Sequence, residues 1–246
     1  MLTQDRKALL LDRLGRDGRL IAAELATELQ VSEDTIRRDL RDLAAEGRLL
    51  RVHGGALPLS PTHAPVATRQ SLHPQAKARL ARRALPLIRP GQIVIMDGGT
   101  THLAMVAQLP PGLACTIVTH APAIAAALEP FPRIEILLIG GPILRLSMVA
   151  CGAEAAEAYG NIRADLCFLG VTGLQSETGL TTGHPEEARL KARMMRSAAE
   201  TIVLATPDKL GATSPFRIAG LDAATTVISQ GPRPDWLPDR VVHLSA

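Results

Sequence analysis

The sequence predicts an α/β protein in two unequal parts: a small helical N-terminal head ending in a β-hairpin, then a larger domain built on a mostly parallel sheet. Three observations carry that prediction. Apolar residues in the first 56 positions recur at helical spacing, the next stretch is proline-rich and then purely basic, and from residue 92 short apolar runs alternate with helical segments. A length of 246 residues suits one large or two modest domains. Apolar residues at 46% and charged residues at 21% exclude a disordered or fibrous chain. Aromatics at 2% leave the core to Leu, Ile, Val and Ala and argue against a platform of stacked rings.

The three cysteines, Cys115, Cys151 and Cys167, are odd in number and lack Cys-x-x-Cys spacing, which disfavours a disulfide framework or a zinc cage and fits a reducing cytoplasm. No basic-then-apolar secretory pattern follows Met1. The longest uncharged apolar stretch, residues 136–144, is interrupted by Gly140, Gly141 and Pro142 and is too short to cross a bilayer, so a soluble cytoplasmic protein is expected.

Net charge is +3, unevenly placed: residues 1–56, 57–90 and 91–246 balance at 0, +6 and −3. The middle segment is proline-rich and then turns basic and helical over residues 75–88, reading as a connector running into a second domain. The expected organisation is a head at 1–56, a linker at 57–73 and an α/β domain at 74–246.

In the head, Leu9, Leu10 and Leu14 mark a first helix over residues 3–14, which Gly15 and Gly18 should stop. Ala22, Leu25, Ala26 and Leu29 mark a second. After a tight connection at Gln30-Val31, Ser32 is a good N-cap for a third helix starting at Glu33. On it Ile36, Leu40 and Leu43 share one face, while Arg38 and Arg41 point the other way with Arg37 flanking. Two short helices and a tight turn, the second presenting arginines, have the geometry of a helix-turn-helix entering the DNA major groove. The alternating stretch from Arg48 to Gly54-Gly55 suits a β-wing that brings Arg51 and His53 near the sugar-phosphate backbone. The blander alternative makes Arg38 a solvated partner of Asp34 or Asp42, each four residues away.

Leu25-Ala, Val31-Ser-Glu-Asp-Thr-Ile-Arg-Arg-Asp-Leu, Leu43, Glu46-Gly47 and Arg51-Val-His-Gly-Gly-Ala together resemble the signature of the DeoR family of bacterial transcriptional regulators. The match spans nearly all of residues 3–56. It implies a winged helix-turn-helix that binds double-stranded operator DNA, with residues 32–41 as recognition element and Ser32, Thr35, Arg37, Arg38 and Arg41 as contacts.

In the larger part, strands are expected at residues 92–96, 115–119, 134–141, 166–170 and 200–205, with helices at 101–109, 122–128 and 186–199 between them. Ligands bind such sheets at the strand C-termini. The small polar residues collect there: Asp97, Gly98, Gly99, Thr100 and Thr101; Thr119 with His120; Gly140 and Gly141; Gly170, Thr172 and Gly173; and Asp208 with Lys209. Glycines let a ligand approach the main chain, helix N-termini and threonines supply donors, and Lys209 supplies charge, an inventory that suits a phosphate. The alternative is that these residues only cap helices and turn the chain. No Gly-x-Gly-x-x-Gly or Walker sequence is present, no histidines stand at metal-ligand spacing, and neither cofactor nor metal is expected. Glu186-Glu187, in a first helical turn, read as acids complementing the dipole.

Asp97-Gly-Gly-Thr-Thr, Val118-Thr119, Gly140-Gly141, Cys151-Gly-Ala-Glu-Ala, Ala164-Asp-Leu-Cys-Phe-Leu-Gly, Gly179-Leu-Thr, Lys191 and Lys209-Leu-Gly are similar to the DeoR-family sensor domain, related in fold to ribose-5-phosphate isomerases and CoA transferases. The resemblance implies a phosphorylated sugar or related metabolite as effector. Where the family usually has Asn-Ser, this chain has His120-Ala121, and where it has Asp-x-Ser-Lys, Thr206-Pro-Asp208-Lys209, changes that alter donors and charge at the presumed pocket rim. The resulting expectation is a regulator of sugar or related carbon-metabolism genes, most simply a repressor, acting as a homo-oligomer whose heads read paired half-sites. A sugar-phosphate isomerase-class enzyme with a helical head, using Asp97 as base, is the alternative.

Overall fold

The computed structural model describes residues 2–17, 19–52, 54–58 and 66–246. The head contains α1 (Thr3–Asp17), β1 (Leu20–Ile21), α2 (Ala22–Leu29), α3 (Glu33–Ala45), β2 (Leu50–Val52) and β3 (Gly55–Leu57). α1 continues through Gly15, where the sequence suggests a stop. A mid-helix glycine costs about 1 kcal/mol relative to alanine, and burial of Leu10 and Leu14 on the same helix offsets it. α2 ends at Gln30, which takes left-handed φ of 52°. The Ser32 hydroxyl then caps α3 by accepting from the Thr35 N–H at 3.2 Å. Leu10, Leu25, Ile36, Leu40, Leu43 and Leu49 form the apolar centre of the head.

The wing has three strands in the order β1-β3-β2, all antiparallel. β1 is too short for alternation to reveal, but its approach explains Gly55: a Cβ there would lie 1.8 Å from the Leu20 carbonyl oxygen.

Beyond the head come α4 (Val66–Gln70) and α5 (Pro74–Ala84), the latter ending in a 3-10 turn at Leu85–Leu87. The sheet then begins: β4 (Ile93–Met96), α6 (Thr100–Val106), β5 (Cys115–Thr119), α7 (Pro122–Ala127) and β6 (Ile134–Leu138). A hairpin of β7 (Ile143–Leu144) and β8 (Val149–Ala150) precedes α8 (Ala153–Gly160) and β9 (Ala164–Leu169). β10 (Gly173–Gln175), β11 (Gly179–Thr182), α9 (Pro185–Arg196), β12 (Ala198–Ala205), β13 (Phe216–Ala219), β14 (Thr226–Ser229) and β15 (Val242–Ser245) complete the chain.

Seven strands form a sheet in the order β15-β14-β12-β9-β4-β5-β6, every pairing parallel. β10, β11 and β13 form a separate antiparallel sheet. The parallel core strands read as continuous apolar runs because helices cover them: Val94, Ile95, Met96, Phe168, Ile202 and Val203 are all fully buried. Strand order reverses at β4, whose successors lie on one side and β9 on the other, so a crevice opens beyond the C-termini of β4 and β9. No helix among the described residues is long and apolar enough to cross a membrane.

Candidate functional site

Two surfaces are candidates. On α3, Ile36, Leu40 and Leu43 face inward while Arg37, Arg38 and Arg41 are exposed. Arg37 pairs with Glu33 one turn back at 2.7 Å. Asp42, the suggested partner of Arg38, instead pairs with Lys7 of α1 at 3.0 Å. Neither Arg38 nor Arg41 forms an ion pair with a described residue. Asp39, between these arginines, points the other way and is buried against the Arg6 guanidinium, which anchors α3 on α1. Arg51 is exposed on β2. His53 lies outside the described residues.

The second candidate is the crevice at the sheet switch. Gly98, Gly99, Thr100 and Thr101 line it from the β4–α6 turn, Gly170 and Thr172 from the segment after β9, and Lys209 from the turn after β12. Gly99 has φ of 117°, which an L side chain rarely adopts, and its backbone leads directly into α6.

Asp97, Thr119, Gly140, Gly141 and Gly173 are not among the lining residues. Thr119 is buried, and its hydroxyl accepts from the Ala121 N–H at 3.2 Å. At Gly141 and Gly173 a Cβ would approach the carbonyl oxygens of Cys151 at 2.9 Å and Ala212 at 2.4 Å, so these glycines admit neighbouring chain.

Asp97 lies beneath the floor. Its Oδ1 accepts from the Gly98 N–H and its Oδ2 from the Gly170 N–H, each at 2.7 Å, and the Lys191 ammonium donates to Oδ2. Lys191 also donates to the Gly170 carbonyl at 2.7 Å and stands 3.3 Å from Glu187, which accepts from Thr182 at 3.0 Å. Burial alone would raise the Asp97 pKa, but the Lys191 charge and His120 overcome it and hold the carboxyl well below the usual range. Burial would likewise depress Lys191, but Asp97 and Glu187 hold it above its ordinary value. His120 is fully buried, not at the rim: its Nε2 faces Asp97 at 3.3 Å and its Nδ1 meets the Tyr159 hydroxyl at 3.1 Å. Glu187 thus belongs to a buried network as well as to a first helical turn.

Asp208, which the sequence places beside Lys209, also lines the crevice, as do residues that sequence reasoning did not select: Arg69, His73, Lys77, His102 and Ser147. His102 Nδ1 lies 3.0 Å from the Gly98 carbonyl oxygen. A carbonyl only accepts, so Nδ1 carries the proton and Nε2 is a bare acceptor. Burial pushes the His102 pKa down to about 4, keeping the ring neutral at physiological pH. Among the described residues His102 Nε2, Ser147 Oγ and Asp208 Oδ1 are buried without a hydrogen-bond partner, although His73 Nε2 stands 3.8 Å from Asp208 Oδ1, and all three residues line the crevice. Burial pushes Lys209 down to about 8, and burial followed by the Arg69 charge lowers Lys77. The lining therefore combines desolvated cations, which want an anion, with bare acceptors, which want hydroxyls.

Residues 6–62 match the family model for a DeoR-like helix-turn-helix domain, and residues 72–231 match that for the DeoR C terminal sensor domain. The chain belongs to the DeoR family. It is 32% identical to the HTH-type transcriptional repressor GlcR of Bacillus subtilis (strain 168), over 98% of this chain and 91% of that protein. It is 28% identical to the L-fucose operon activator of Escherichia coli (strain K12), over 91% of this chain and 93% of the relative. Among solved structures, ribose 5-phosphate isomerase A from Methanocaldococcus jannaschii aligns with 55% of this chain and 53% of its own, at a TM-score of 0.39 and 16% identity.

As a DeoR-family member the chain is a helix-turn-helix transcriptional regulator with a sensor domain, and the isomerase-class alternative is set aside. The floor geometry agrees with that: the carboxylate a base would need is bonded to two amides and an ammonium.

Proposed function

We propose that this regulator controls sugar or related carbon-metabolism genes from the cytoplasm and that a phosphorylated sugar or similar polyol phosphate, bound in the crevice, modulates its operator affinity. In this reading residues 1–56 grip DNA, 57–73 connect, and 74–246 sense. The observation that carries the ligand class is the presence in one cavity of Lys77 and Lys209 with His102 Nε2 and Asp208 Oδ1, acceptors that have no hydrogen bond among the described residues. A phosphate satisfies the cations, and hydroxyl groups donate to the acceptors. Gly99, Thr100 and Thr101 supply further main-chain and hydroxyl donors; Gly98 and Gly170, whose N–H groups Asp97 holds from below, and Thr172, bonded to Thr181 and Ser214, shape the wall around the ligand.

The DNA contacts are Thr35, Arg37, Arg38 and Arg41 on α3, supported by Ser32 at its N-terminus and by Arg51 and His53 of the wing. Helix-turn-helix proteins read paired half-sites, so the functional unit is a homo-oligomer. The Escherichia coli relative is an L-fucose operon activator, and GlcR is a transcriptional repressor. A repressor of this kind is the simplest form. The deciding experiment is an electrophoretic mobility shift with DNA upstream of the protein's own gene, titrated with pentose and hexose phosphates. A sugar phosphate that shifts operator affinity about 5–150-fold supports the reading, and operator binding indifferent to every sugar phosphate removes it.

A further inference from the structure

The chain that connects head to sensor does not run clear of the crevice. Arg69 of α4, His73 in the turn beyond it and Lys77 of α5 all line the cavity. In this strap, among the described residues, the Val66 N–H donates to the Leu146 carbonyl at 3.0 Å, the Lys77 ammonium donates to the Arg69 carbonyl, His73 Nε2 stands 3.8 Å from Asp208 Oδ1 on the sensor wall, and α4 packs against α6. The strap carries cations, and so does the sensor wall it faces, through Lys191 and Lys209. Burial and then mutual repulsion follow: Lys209 is lowered by burial and, although Asp208 opposes this, also by Arg69, Lys191 and Lys77. Burial lowers Arg69 as well, while Glu187 and Asp97 draw it inward. Both of those carboxylates also bond Lys191. An anion placed among Arg69, Lys77 and Lys209 would give strap and wall a shared partner.

We infer that Arg69 is a ligand-binding residue carried on the tether, so that a phosphorylated ligand bridges strap and sensor and thereby fixes where the DNA head is held. This rests on the effector reading above and supplies its coupling. A ligand shifts a conformational equilibrium only by binding one state better, and a cation that is present in the site only when α4 is docked gives the ligand that preference. No contact between ligand and head is needed.

The test uses the full chain and three probes: ribose 5-phosphate, glucose 6-phosphate and inorganic phosphate. Hydrogen exchange and calorimetry on the wild type come first. A bound probe should protect amides 66–72 and change operator affinity in a mobility shift. Arg69→Gln should weaken that probe about tenfold or more and abolish both the protection and the effect on DNA. Arg69→Lys, which keeps the charge, should retain part of each. Gln70→Ala, one position on and exposed, should behave as wild type. If a probe protects residues 98–102 but leaves 66–72 exchanging freely, or if Arg69→Gln binds it with wild-type affinity, the tether assignment is overturned while the effector reading stands. If no probe binds the wild type, both fall together, and that is read before any variant is made. Should Arg69→Gln lose its native circular dichroism, the wild-type exchange and Arg69→Lys decide.

Discussion

Lys191 on α9 reaches back 94 positions to bond Asp97 at the end of β4, and neither side chain is more than 4% exposed. The pair ties three elements at the sheet switch, because Lys191 also holds the Gly170 carbonyl beyond β9. Its role is to set the crevice floor. Removing one partner of a buried ion pair leaves the other charge uncompensated, which costs about 3–5 kcal/mol. Lys191→Met should therefore destabilise the ligand-free chain by about that amount, since Asp97 and Glu187 would both lose their buried cation. Urea unfolding reads it. A loss below about 1 kcal/mol would mean that solvent screens the pair despite its burial.

Neighbouring residues on α3 should behave in opposite ways. Arg38 is exposed and Asp39 is buried against Arg6. Arg38→Ala should cost operator binding about 1–3 kcal/mol while moving stability by no more than about 0.5 kcal/mol. Asp39→Ala should unfold the head, because it strands Arg6 and removes the link from α3 to α1. Mobility shifts and thermal melts on the two variants separate the effects. Full operator affinity in Arg38→Ala would take α3's outer face out of the DNA interface.

The helix-turn-helix was legible because its signals are local: the cap at Ser32, the helical stripe of Ile36, Leu40 and Leu43, and the arginines opposite. The parallel sheet was legible as alternating apolar runs and helices. What the sequence hid was pairing over distance. Asp39 follows Ile36 by three residues and so lies on the packed side, a clue that it is buried, but its partner Arg6 is 33 positions away. Glu187 and Lys191 likewise share the inward face of α9 with Met194. Charged residues at apolar-face positions were the available signal, whereas reading Glu187 only against the helix dipole looked one turn deep. The family resemblance suggests a pocket rim at His120, yet α8 brings Tyr159 against it and the ring is buried. Arg69 offered no signal, since a basic residue in a connector is ordinarily solvated.

Lys209 gives the crevice a pH signature. Its pKa falls to about 8, with burial the main cause, so above that pH the free site loses a cation. Anion affinity should weaken as pH rises through about 8, and binding there should take up a proton. The ligand-free chain should respond in the opposite sense. Between about 8 and the ordinary lysine value of 10.5 the unfolded chain holds the proton that the folded chain has released. The Lys209 contribution to stability therefore rises with pH across that window. Lys209→Met should flatten both trends and abolish phosphate binding. Calorimetry in buffers of different ionisation enthalpy measures the proton uptake, and an affinity flat from pH 7 to 9 would place Lys209 outside the anion's reach.

His102 should decide whether the site reads hydroxyls or only charge. With Nδ1 committed to the Gly98 carbonyl and a pKa of about 4, its Nε2 offers a lone pair into the crevice at any pH above about 5. His102→Phe keeps a planar ring of similar breadth but removes that acceptor. A sugar phosphate whose hydroxyl donates to Nε2 should lose about 1–3 kcal/mol, roughly 5–150-fold in affinity, because the hydroxyl is left desolvated and unpaired. Inorganic phosphate, held by Lys77 and Lys209, should bind the variant as it binds the wild type. The ratio of the two affinities is thus the measurement, and it corrects for any general loosening of the cavity. If both ligands weaken equally, His102 shapes the crevice without reading the sugar, and discrimination among phosphorylated effectors must come from Ser147 and Asp208.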